Sequence, residues 1–406
     1  MSQESMILEI KNSGKPVVIC GAGIVGEILL SLCEREGINV ECFCDNSAKV
    51  ASSDFCGKEV ILTQDIKKKY DDPVFIVSVA AIKDAVERLN ELGYSHWYSG
   101  GLLLKSMDVS QGRQDALLDY SRHAIENCIL CHEGFLNPGK LFLRSIDLII
   151  TERCSLRCKD CSNLMQYYEH PKDCDLEVVF RSIDAICAVV DEIMDFRVIG
   201  GDAFMNKQWP MIVKRLTDEP KAKRVVVYTN GTLVPGEKDI PSLQNSKILV
   251  IITNYGVLSR KLGELTSALQ EHGILHHVLQ VDEWLDCAAI VPHRRSADQN
   301  KDLYKKCCAK NMATLSDGKL FRCPYAANAA RLQAVPDHQE DYIDLFREPF
   351  DAGSIQKTKN KVINYFSHTD YLKTCDYCNG RPLSGVGVQP AMQAIKPLGY
   401  HKYHSK

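Results

Sequence analysis

The chain has 406 residues, of which 45% are hydrophobic and 25% are charged, and its formal net charge is −3 at pH 7. This composition is typical of a soluble globular protein, and at about 150 residues per domain the length predicts two or three domains. A near-neutral chain has no strong field for nucleic acid or an anionic membrane, and no apolar run approaches the ~18 residues that span a bilayer. Because the N-terminus lacks the basic and then apolar pattern of a signal peptide, we expect a cytoplasmic protein without nucleic-acid or membrane partners.

The first hundred residues alternate between strand-like and helix-like segments. Strands are predicted at residues 16–20, 38–44 and 73–79, and helices are predicted from after Gly26 through residue 36 and at residues 82–92. A glycine follows each predicted helix, as is common at helix C-termini. This alternation predicts a small doubly wound α/β domain of the Rossmann-like type over residues 1–104.

A glycine-rich turn, Gly21-Ala-Gly23-Ile-Val-Gly26, follows the first predicted strand, and Asp45 ends the second. Backbone N–H groups at a helix start suit a pyrophosphate, and a carboxylate at a strand end suits a ribose hydroxyl. Together with residues 44–47 and 55–60, the region resembles small Rossmann-like domains attached to polysaccharide and nucleotide-sugar enzymes. Three interpretations stay open: a nucleotide-sugar site, an NAD site, and a docking domain that binds neither.

A connecting helical segment is predicted at residues 105–140, and a second α/β series follows at residues 141–300. Its predicted strands are 145–150, 196–199, 224–228, 247–253 and 275–279, with helices between them such as 176–193 and 258–272. Parallel strands joined by right-handed crossovers follow from this spacing, and there are too few units for a closed eight-fold barrel. We therefore expect an open, partial barrel, then a cysteine-rich region at 301–384 and a flexible tail at 385–406.

The chain contains 18 cysteines, and three of them form the pattern CxxxCxxC directly after the strand at 145–150. These are Cys154, Cys158 and Cys161. Three thiolates on one loop can hold three corners of a [4Fe–4S] cluster and leave the fourth iron open, whereas a structural zinc site needs four protein ligands. In a large chain without an export signal, clustered cysteines indicate metal binding or redox chemistry rather than disulfides.

This motif resembles that of the radical S-adenosylmethionine (radical SAM) superfamily, and its place after the first barrel strand agrees. The resemblance covers roughly residues 140 to 300 and implies a partial (β/α)6 barrel. It also implies that S-adenosylmethionine binds the open iron through its amino and carboxylate groups. Reductive cleavage would then give a 5′-deoxyadenosyl radical that abstracts hydrogen from substrate.

Further strand ends match the superfamily in the expected order. The sequence Gly200-Gly201-Asp202 is similar to the "GGE" motif that contacts the amino group of the methionine moiety, with Asp in place of Glu. The sequence around Asn230 is similar to the "TNG" strand end near the ribose, and Asn254 lies at the end of the next strand. The resemblance implies cofactor-binding roles for these five residues. The position before the last cluster cysteine, commonly aromatic in the family, is Asp160, which puts the adenine contact in doubt.

A second set of cysteines lies downstream, and we predict that Cys308, Cys323, Cys375 and Cys378 form a second site. A hairpin turn at Asp317-Gly318 can bring Cys323 back beside Cys308, and a later CxxC pair completes four sulfurs. The set resembles the SPASM/Twitch extension that holds an auxiliary [4Fe–4S] cluster. A zinc site with four cysteines is the competing interpretation, and Cys307 is the alternative to Cys308.

The sequence thus predicts a radical SAM oxidoreductase or epimerase that acts on a carbohydrate or nucleotide-sugar. A peptide- or protein-modifying maturase is the alternative, because the N-terminal domain could instead recognise a peptide leader. A zinc scaffold without enzymatic activity is a third possibility. A low-potential cluster also implies a flavodoxin- or ferredoxin-type reductant as a partner.

Overall fold

The computed structural model describes residues 2–47, 51, 54–105, 118–382 and 384–403. The chain forms two compact units, Met1–Lys140 and Leu141–Lys406. Part of the predicted connecting segment, residues 106–117, and the last three residues of the predicted tail lie outside the described residues. None of the helices within the described ranges is long and apolar enough to cross a membrane.

The first unit is built on a mostly parallel sheet with strand order β3-β4-β2-β1-β5-β6, in which only β3 pairs antiparallel among the described strands. Its strands are β1 (Val17–Cys20), β2 (Val40–Asp45), β3 (Asp54–Phe55), β4 (Lys58–Leu62), β5 (Val74–Val77) and β6 (Trp97–Ser99). Its helices are α1 (Gln3–Asn12), α2 (Ile24–Arg35), α3 (Ile82–Glu91), α4 (Gly100–Leu104) and α5 (Leu118–Leu136). Every residue of β1 and β5 is buried, as expected for central strands covered on both faces.

The second unit contains a larger sheet with strand order β11-β10-β9-β8-β7-β13-β14-β15 and a short ribbon of β12 with β16. Its strands are β7 (Phe142–Thr151), β8 (Glu192–Gly200), β9 (Ala222–Thr229), β10 (Ile248–Asn254), β11 (His276–Gln280), β12 (Trp284–Leu285), β13 (Ala313–Ser316), β14 (Lys319–Phe321), β15 (Tyr342–Asp344) and β16 (Gly387–Val388). Its helices are α6 (Leu176–Val189), α7 (Trp209–Thr217), α8 (Leu262–Glu271), α9 (Ala297–Lys306), α10 (Pro324–Leu332) and α11 (Ala352–His368). The predicted α/β class is confirmed.

The parallel part of this sheet crosses the boundary that the sequence predicts at residue 300. Strands β7 to β11 come from the predicted barrel region, but β13, from the cysteine-rich region, pairs in parallel with the free edge of β7. Strands β14 and β15 then continue the sheet in antiparallel pairing. Within the described residues the cysteine-rich region is therefore part of the same sheet, and its first strand, β13, lies beside β7, the strand that leads into the CxxxCxxC loop.

Helix α6 is shorter than the helix predicted at 176–193. It begins at an N-cap, where the Asp175 side chain accepts a hydrogen bond from the backbone N–H of Val178 at 3.0 Å. It ends at Val189, and β8 begins three residues later, at Glu192, where it pairs with Phe142 of β7. Because only Asp191 and Glu192 separate the apolar residues of the helix from those that resume at Ile193, the pattern alone does not mark the change from helix to strand.

The C-terminal segment differs from the flexible tail that the sequence predicts. Between Gly387 and Tyr403 it pairs with β12 and then hydrogen bonds to the CxxxCxxC loop and to the residues after α10. The backbone N–H of Lys159 donates to Met392 O at 2.7 Å, and that of Ala394 donates to Arg157 O at 2.7 Å. These backbone hydrogen bonds to a distant part of the chain account for the difference, since the local composition contains no sign of them.

Candidate active site

The CxxxCxxC loop follows β7 and lies at one end of the parallel sheet. Cys154, Cys158 and Cys161 all line a cavity of about 590 Å³. The cavity is also lined by residues at the carboxyl ends of β8, β9 and β10, where functional groups gather in parallel α/β sheets. Its volume lies within the range of about 300 to 1,000 Å³ that is typical of small-molecule sites.

The three thiols are held in a low-dielectric setting. Burial raises the pKa of the Cys154 and Cys161 thiols above their ordinary value and that of Cys158 to about 11. At Cys161 the backbone N–H groups of residues 163–165 act in the opposite direction and favour the thiolate. A metal that binds here would have to displace the thiol protons, as metal binding to cysteine generally does.

Within the described ranges, no three His, Cys, Asp or Glu side chains lie close enough together to hold a single metal ion. That finding applies to a site in which all the ligands bind the same metal ion. In a [4Fe–4S] cube each cysteine bonds a different iron, so the thiolates stand further apart. Three thiols that share one cavity fit a cube held at three corners.

Gly200 and Gly201 end β8 where it passes closest to the cysteine loop. A Cβ on Gly201 would lie 2.1 Å from Arg153 O and 2.8 Å from the Cβ of Cys154. Because backbone atoms cannot move aside easily, only glycine allows this approach. The next residue completes the junction, since the N–H of Asp202 donates to Arg153 O at 2.9 Å. Both glycines line the cavity, and their role in binding the cofactor stays a prediction.

Asp202 is placed differently from its predicted role as a direct contact to the cofactor. The side chain is buried, and its carboxylate accepts hydrogen bonds from Thr229 Oγ1 and Asn230 N, both at 2.9 Å, and from Phe204 N at 3.1 Å. Burial raises the pKa of this carboxyl group, while these hydrogen bonds favour its charged form. Asp202 therefore fixes the end of β9 in the structure, and Gly200, Gly201, Thr229 and Asn230 form the cavity wall there.

Asn230 links the end of β9 to the cysteine loop. Its Nδ2 donates to Cys154 Sγ at 3.5 Å and to Ser155 Oγ at 3.2 Å, and its Oδ1 accepts from Thr232 N at 3.1 Å. Asn230 also lines the cavity, so the structure places it beside the predicted cluster ligands.

Asn254, by contrast, is turned away from the cavity. Its Nδ2 donates to Gln280 Oε1 on the neighbouring strand at 2.9 Å, and its Oδ1 accepts from Gly256 N at 2.9 Å. Thr253 and Tyr255, on either side of it, line the cavity. Side chains alternate along a strand, and the sequence prediction selected the residue on the wrong face.

Two aromatic residues that the sequence prediction missed lie beside the cysteine loop. Tyr255 and Trp284 contact each other edge to face, with ring centroids 5.6 Å apart, and pack with Cys154, Cys158 and Cys161. Both line the cavity, as does Asp160. An aromatic surface of this kind can contact a purine ring. It could therefore supply the adenine contact that the sequence puts in doubt, because Asp160 stands where the superfamily commonly has an aromatic residue. The signal in the sequence for this contact is that both residues are aromatic and lie next to strand ends, Tyr255 after β10 and Trp284 at the start of β12.

A separate pocket is lined by four cysteines, and it corrects one predicted ligand. Cys307, Cys323, Cys375 and Cys378 line this pocket, whereas Cys308 lines the large cavity beside the CxxxCxxC loop. The reason is local geometry. Cys307 is the C-cap of helix α9, and the N–H of Cys308 donates to Arg381 O at 2.9 Å, so the two adjacent side chains face different sites.

Local sequence explains how the other three cysteines of this pocket are placed. The predicted Asp317-Gly318 turn is present, with φ angles of 50° and 75°, and it folds β14 back against β13. Cys323 then forms the N-cap of α10, with Pro324 as the first helical residue. Cys375 and Cys378 follow on a short 3-10 turn.

Charged and polar groups hold the CxxC turn in place. Arg295 Nη1 donates to Cys375 O at 3.1 Å and to Cys378 O at 3.0 Å. The N–H of Gly380 donates to Cys378 Sγ at 3.2 Å. Asp341, which is buried, accepts from the backbone N–H groups of Lys373 and Thr374 at 2.7 Å each. The turn is thus preorganised by groups that metal binding does not require.

In the first unit the glycine-rich turn joins β1 to α2. A Cβ on Gly26 would lie 2.2 Å from Gly21 O, so the helix can approach the turn only with glycine there, whereas nothing lies within 4 Å of such an atom on Gly23. Asp45 closes the turn, because its Oδ2 accepts from Ala22 N at 3.2 Å and its Oδ1 from Ser47 N at 2.9 Å. The four predicted nucleotide-binding residues therefore form one local arrangement.

In its fold and its three-cysteine cavity the chain resembles the radical SAM enzymes, as the sequence predicts. The cofactors of that class are a [4Fe–4S] cluster and S-adenosylmethionine. The family model described as C2185-like, N-terminal, matches residues 13–97. Two GTP 3',8-cyclases of Campylobacter jejuni, from serotypes O:6 and O:2, are 22% identical to the chain over 255 residues, covering 59% of it and 77% of each relative.

Solved structures of radical SAM enzymes are also similar. BtrN in complex with AdoMet and 2-DOIA is 17% identical, with a TM-score of 0.36, and the match covers 63% of this chain and 98% of that one. Streptococcus suis SuiB bound to its precursor peptide SuiA is 12% identical, with a TM-score of 0.30 and coverage of 72% and 61%. With scores this low, neither structure indicates the substrate of this chain.

Proposed function

We propose that the chain is a radical SAM enzyme that acts on a carbohydrate or nucleotide-sugar. The observation that carries the enzymatic part of the proposal is that Cys154, Cys158 and Cys161 line one cavity at the carboxyl ends of parallel strands. Cys154, Cys158 and Cys161 would hold a [4Fe–4S] cluster at three of its irons and leave the fourth for S-adenosylmethionine. When bound, the cluster and S-adenosylmethionine would supply the radical chemistry that removes a hydrogen atom from the substrate.

The chain's own residues would bind and orient these groups. Gly200 and Gly201 let the strand end approach the cysteine loop, and Asn230 would hold the Cys154 sulfur in position. Tyr255 and Trp284 would cover the cluster side of the cavity and limit the access of water to it. Exclusion of water matters because it protects a reactive intermediate from side reactions.

For the second pocket we propose an auxiliary [4Fe–4S] cluster bound by Cys307, Cys323, Cys375 and Cys378. Four thiols around one pocket match the number of ligands of such a cluster. Four cysteines are also a zinc ligand set, but in the described residues these thiols lie too far apart to hold a single ion. Iron analysis distinguishes the two, because two four-iron clusters require about eight irons per chain. A preparation with about four irons and one zinc would establish the zinc alternative. The reductant of the clusters is proposed to be a flavodoxin- or ferredoxin-type protein.

The proposal of a carbohydrate or nucleotide-sugar substrate is based on the N-terminal unit. Its glycine-rich turn leaves open space at Gly23, the N-cap of α2, which is where a pyrophosphate would bind. Thermal-shift measurements on the full chain with nucleotide-sugars, NAD and peptides test this assignment. Stabilisation by nucleotide-sugars is expected, and stabilisation by peptides alone would favour the peptide-modifying alternative.

Anaerobic cleavage of S-adenosylmethionine tests the central assignment. The reconstituted, reduced wild-type chain is expected to release 5′-deoxyadenosine, measured by mass spectrometry. Replacing Cys154, Cys158 or Cys161 by Ala should abolish this release, whereas Cys56→Ala, which removes an exposed cysteine, should not change it. Full activity in the three loop variants would disprove the proposal. With a substrate, oxidation would lower its mass by two hydrogens, and epimerisation would leave its mass unchanged.

A further inference from the structure

Two arginines line the large cavity without hydrogen-bond partners for their Nε atoms. Arg197 lies on β8, and Arg381 follows the CxxC turn of the second pocket. In the described part of the chain, the Nε of each is buried and has no hydrogen-bond partner. An unpaired buried donor costs free energy, so protein groups do not fully satisfy either guanidinium.

Both guanidinium groups act electrostatically on the same carboxylate. Arg197 Nη1 is 3.7 Å from Asp147 Oδ1, and both arginines act electrostatically on Asp147. Asp147 lines the cavity and is buried, so the cavity-facing charges at this point are two cations and one anion. Asp195 also acts on Arg197, although Asp195 is not part of the cavity wall.

The position of Arg381 connects the cavity to the auxiliary pocket. Its carbonyl oxygen accepts from Cys308 N, and its neighbour Gly380 donates to the sulfur of Cys378. Arg381 also acts electrostatically on thiols of both regions, namely Cys161 and Cys287 on one side and Cys323 on the other. A ligand bound by this guanidinium would therefore lie between the two cysteine sites.

We propose that Arg197 and Arg381 bind an oxyanion of the substrate, a phosphoryl or carboxylate group, and orient the substrate in the cavity. Guanidinium groups match both oxyanions because their donors form a planar fork that can bind two oxygens at once. The inference rests on the proposed function and narrows it, since it makes the substrate an anionic carbohydrate derivative rather than a neutral sugar. Asp160 and Glu283 also line the wall, so the oxyanion is expected at the arginine pair and not elsewhere in the cavity.

Calorimetric titration of the anaerobically reconstituted full chain, saturated with S-adenosylmethionine, tests the inference. The probes are glucose 1-phosphate, glucuronate and glucose, which carry a phosphoryl group, a carboxylate and no charge. At least one charged probe is expected to bind at least tenfold more tightly than glucose, and the tighter of the two identifies the oxyanion. Equal affinity for all three, or absence of binding, would overturn the inference.

Variants show whether the arginines are responsible. Arg381→Gln is expected to weaken binding of the tighter charged probe at least tenfold, whereas Arg260→Gln, an exposed arginine after β10, should leave it unchanged. The double variant Arg197→Gln with Asp147→Asn removes a cation together with its ion-pair partner, and it should weaken binding similarly even if Arg381→Gln fails to fold. Unchanged affinity in whichever of these variants folds would contradict the inference.

Two controls separate this inference from the function it rests on. If the charged probe competes with S-adenosylmethionine, the arginines bind the carboxylate of the cofactor and the inference is wrong. If wild type releases 5′-deoxyadenosine but binds no charged probe, the inference fails and the proposed function stands. If wild type releases none, the proposed function itself fails.

Discussion

Gln393 donates a hydrogen bond from its Nε2 to the Sγ of Cys158 at 3.3 Å. The two residues also form an isolated antiparallel bridge, and Gln393 Oε1 accepts from Arg157 N at 2.8 Å. A side chain from the C-terminal segment thus reaches a predicted cluster ligand more than two hundred residues earlier. Hydrogen bonds to cysteine sulfurs are among the factors that set the reduction potential of an iron–sulfur cluster.

Gln393→Leu is expected to lower the reduction potential of the cluster bound by the CxxxCxxC loop. An N–H group directed at the sulfur stabilises the more negative, reduced state, so its loss should favour the oxidised state. Potentiometric titration followed by electron paramagnetic resonance measures the change. Gln389→Leu, which alters an exposed glutamine in the same segment, should keep the wild-type potential. Identical potentials in both variants would show that the hydrogen bond has no such effect.

Cys307→Ser and Cys308→Ser form a matched pair for the auxiliary site. Since Cys307 lines the four-cysteine pocket and Cys308 lines the large cavity, only the first change should remove a ligand. We expect iron to fall from about eight toward about four atoms per chain in Cys307→Ser and to stay near eight in Cys308→Ser. Iron analysis with Mössbauer spectroscopy checks this. The reverse result would restore Cys308 as the ligand.

Asp202→Asn should weaken both the fold near the cavity and the binding of S-adenosylmethionine. The carboxylate accepts from Thr229 Oγ1 and Asn230 N, and an amide that turned its own N–H₂ toward these donors would leave them unpaired. An unsatisfied buried donor costs about 1–3 kcal/mol, so a lower melting temperature is expected together with weaker cofactor binding by calorimetry. Asp282→Asn, at an exposed position, serves as the control. Unchanged melting and binding would remove this role.

His132 should make the first unit less stable as the pH falls from about 6.5 to about 4. The side chain is buried, its Nε2 donates to Val79 O at 2.9 Å, and its Nδ1 accepts from Gly101 N at 3.3 Å. Burial lowers the pKa of His132 to about 4, whereas an unfolded histidine titrates near 6.5. In this pH window the unfolded state binds a proton that the folded state does not, which costs ~3 kcal/mol by pH 4.

Hydrogen exchange of peptides from β1 and β5 between pH 4 and pH 7, corrected for intrinsic exchange rates, measures this dependence. His132→Gln should be less stable at every pH but should show a flatter slope in this window. His96→Gln removes an exposed histidine of the same unit and should keep the wild-type slope. If the slope is the same in all three proteins, another group accounts for the acid sensitivity.

Much of the fold is readable from local sequence. Each of the strands predicted in residues 141–300 is present, because runs of buried β-branched and aliphatic residues specify central parallel strands strongly. The CxxxCxxC loop and the Asp317-Gly318 turn are also predictable from the sequence, because the residues that form each of them lie within a few positions of one another. The helix end at Val189 differs from the predicted one because only two polar residues, Asp191 and Glu192, separate the apolar residues of the helix from those of β8.

The sequence by itself determined the α/β class, the cysteine loop after β7 and the residue types needed for its chemistry. The tertiary structure alone decided which of two adjacent side chains faces a pocket, namely Cys307 in the four-cysteine pocket and Tyr255 rather than Asn254 in the large cavity. It also decided that Asp202 supports the end of β9. It also placed Gln393 on Cys158 and Arg381 where its charge acts on Asp147. The physical reason is that the direction of a side chain depends on backbone hydrogen bonds between distant segments, such as the bond from Cys308 N to Arg381 O. No local sequence pattern encodes those partners.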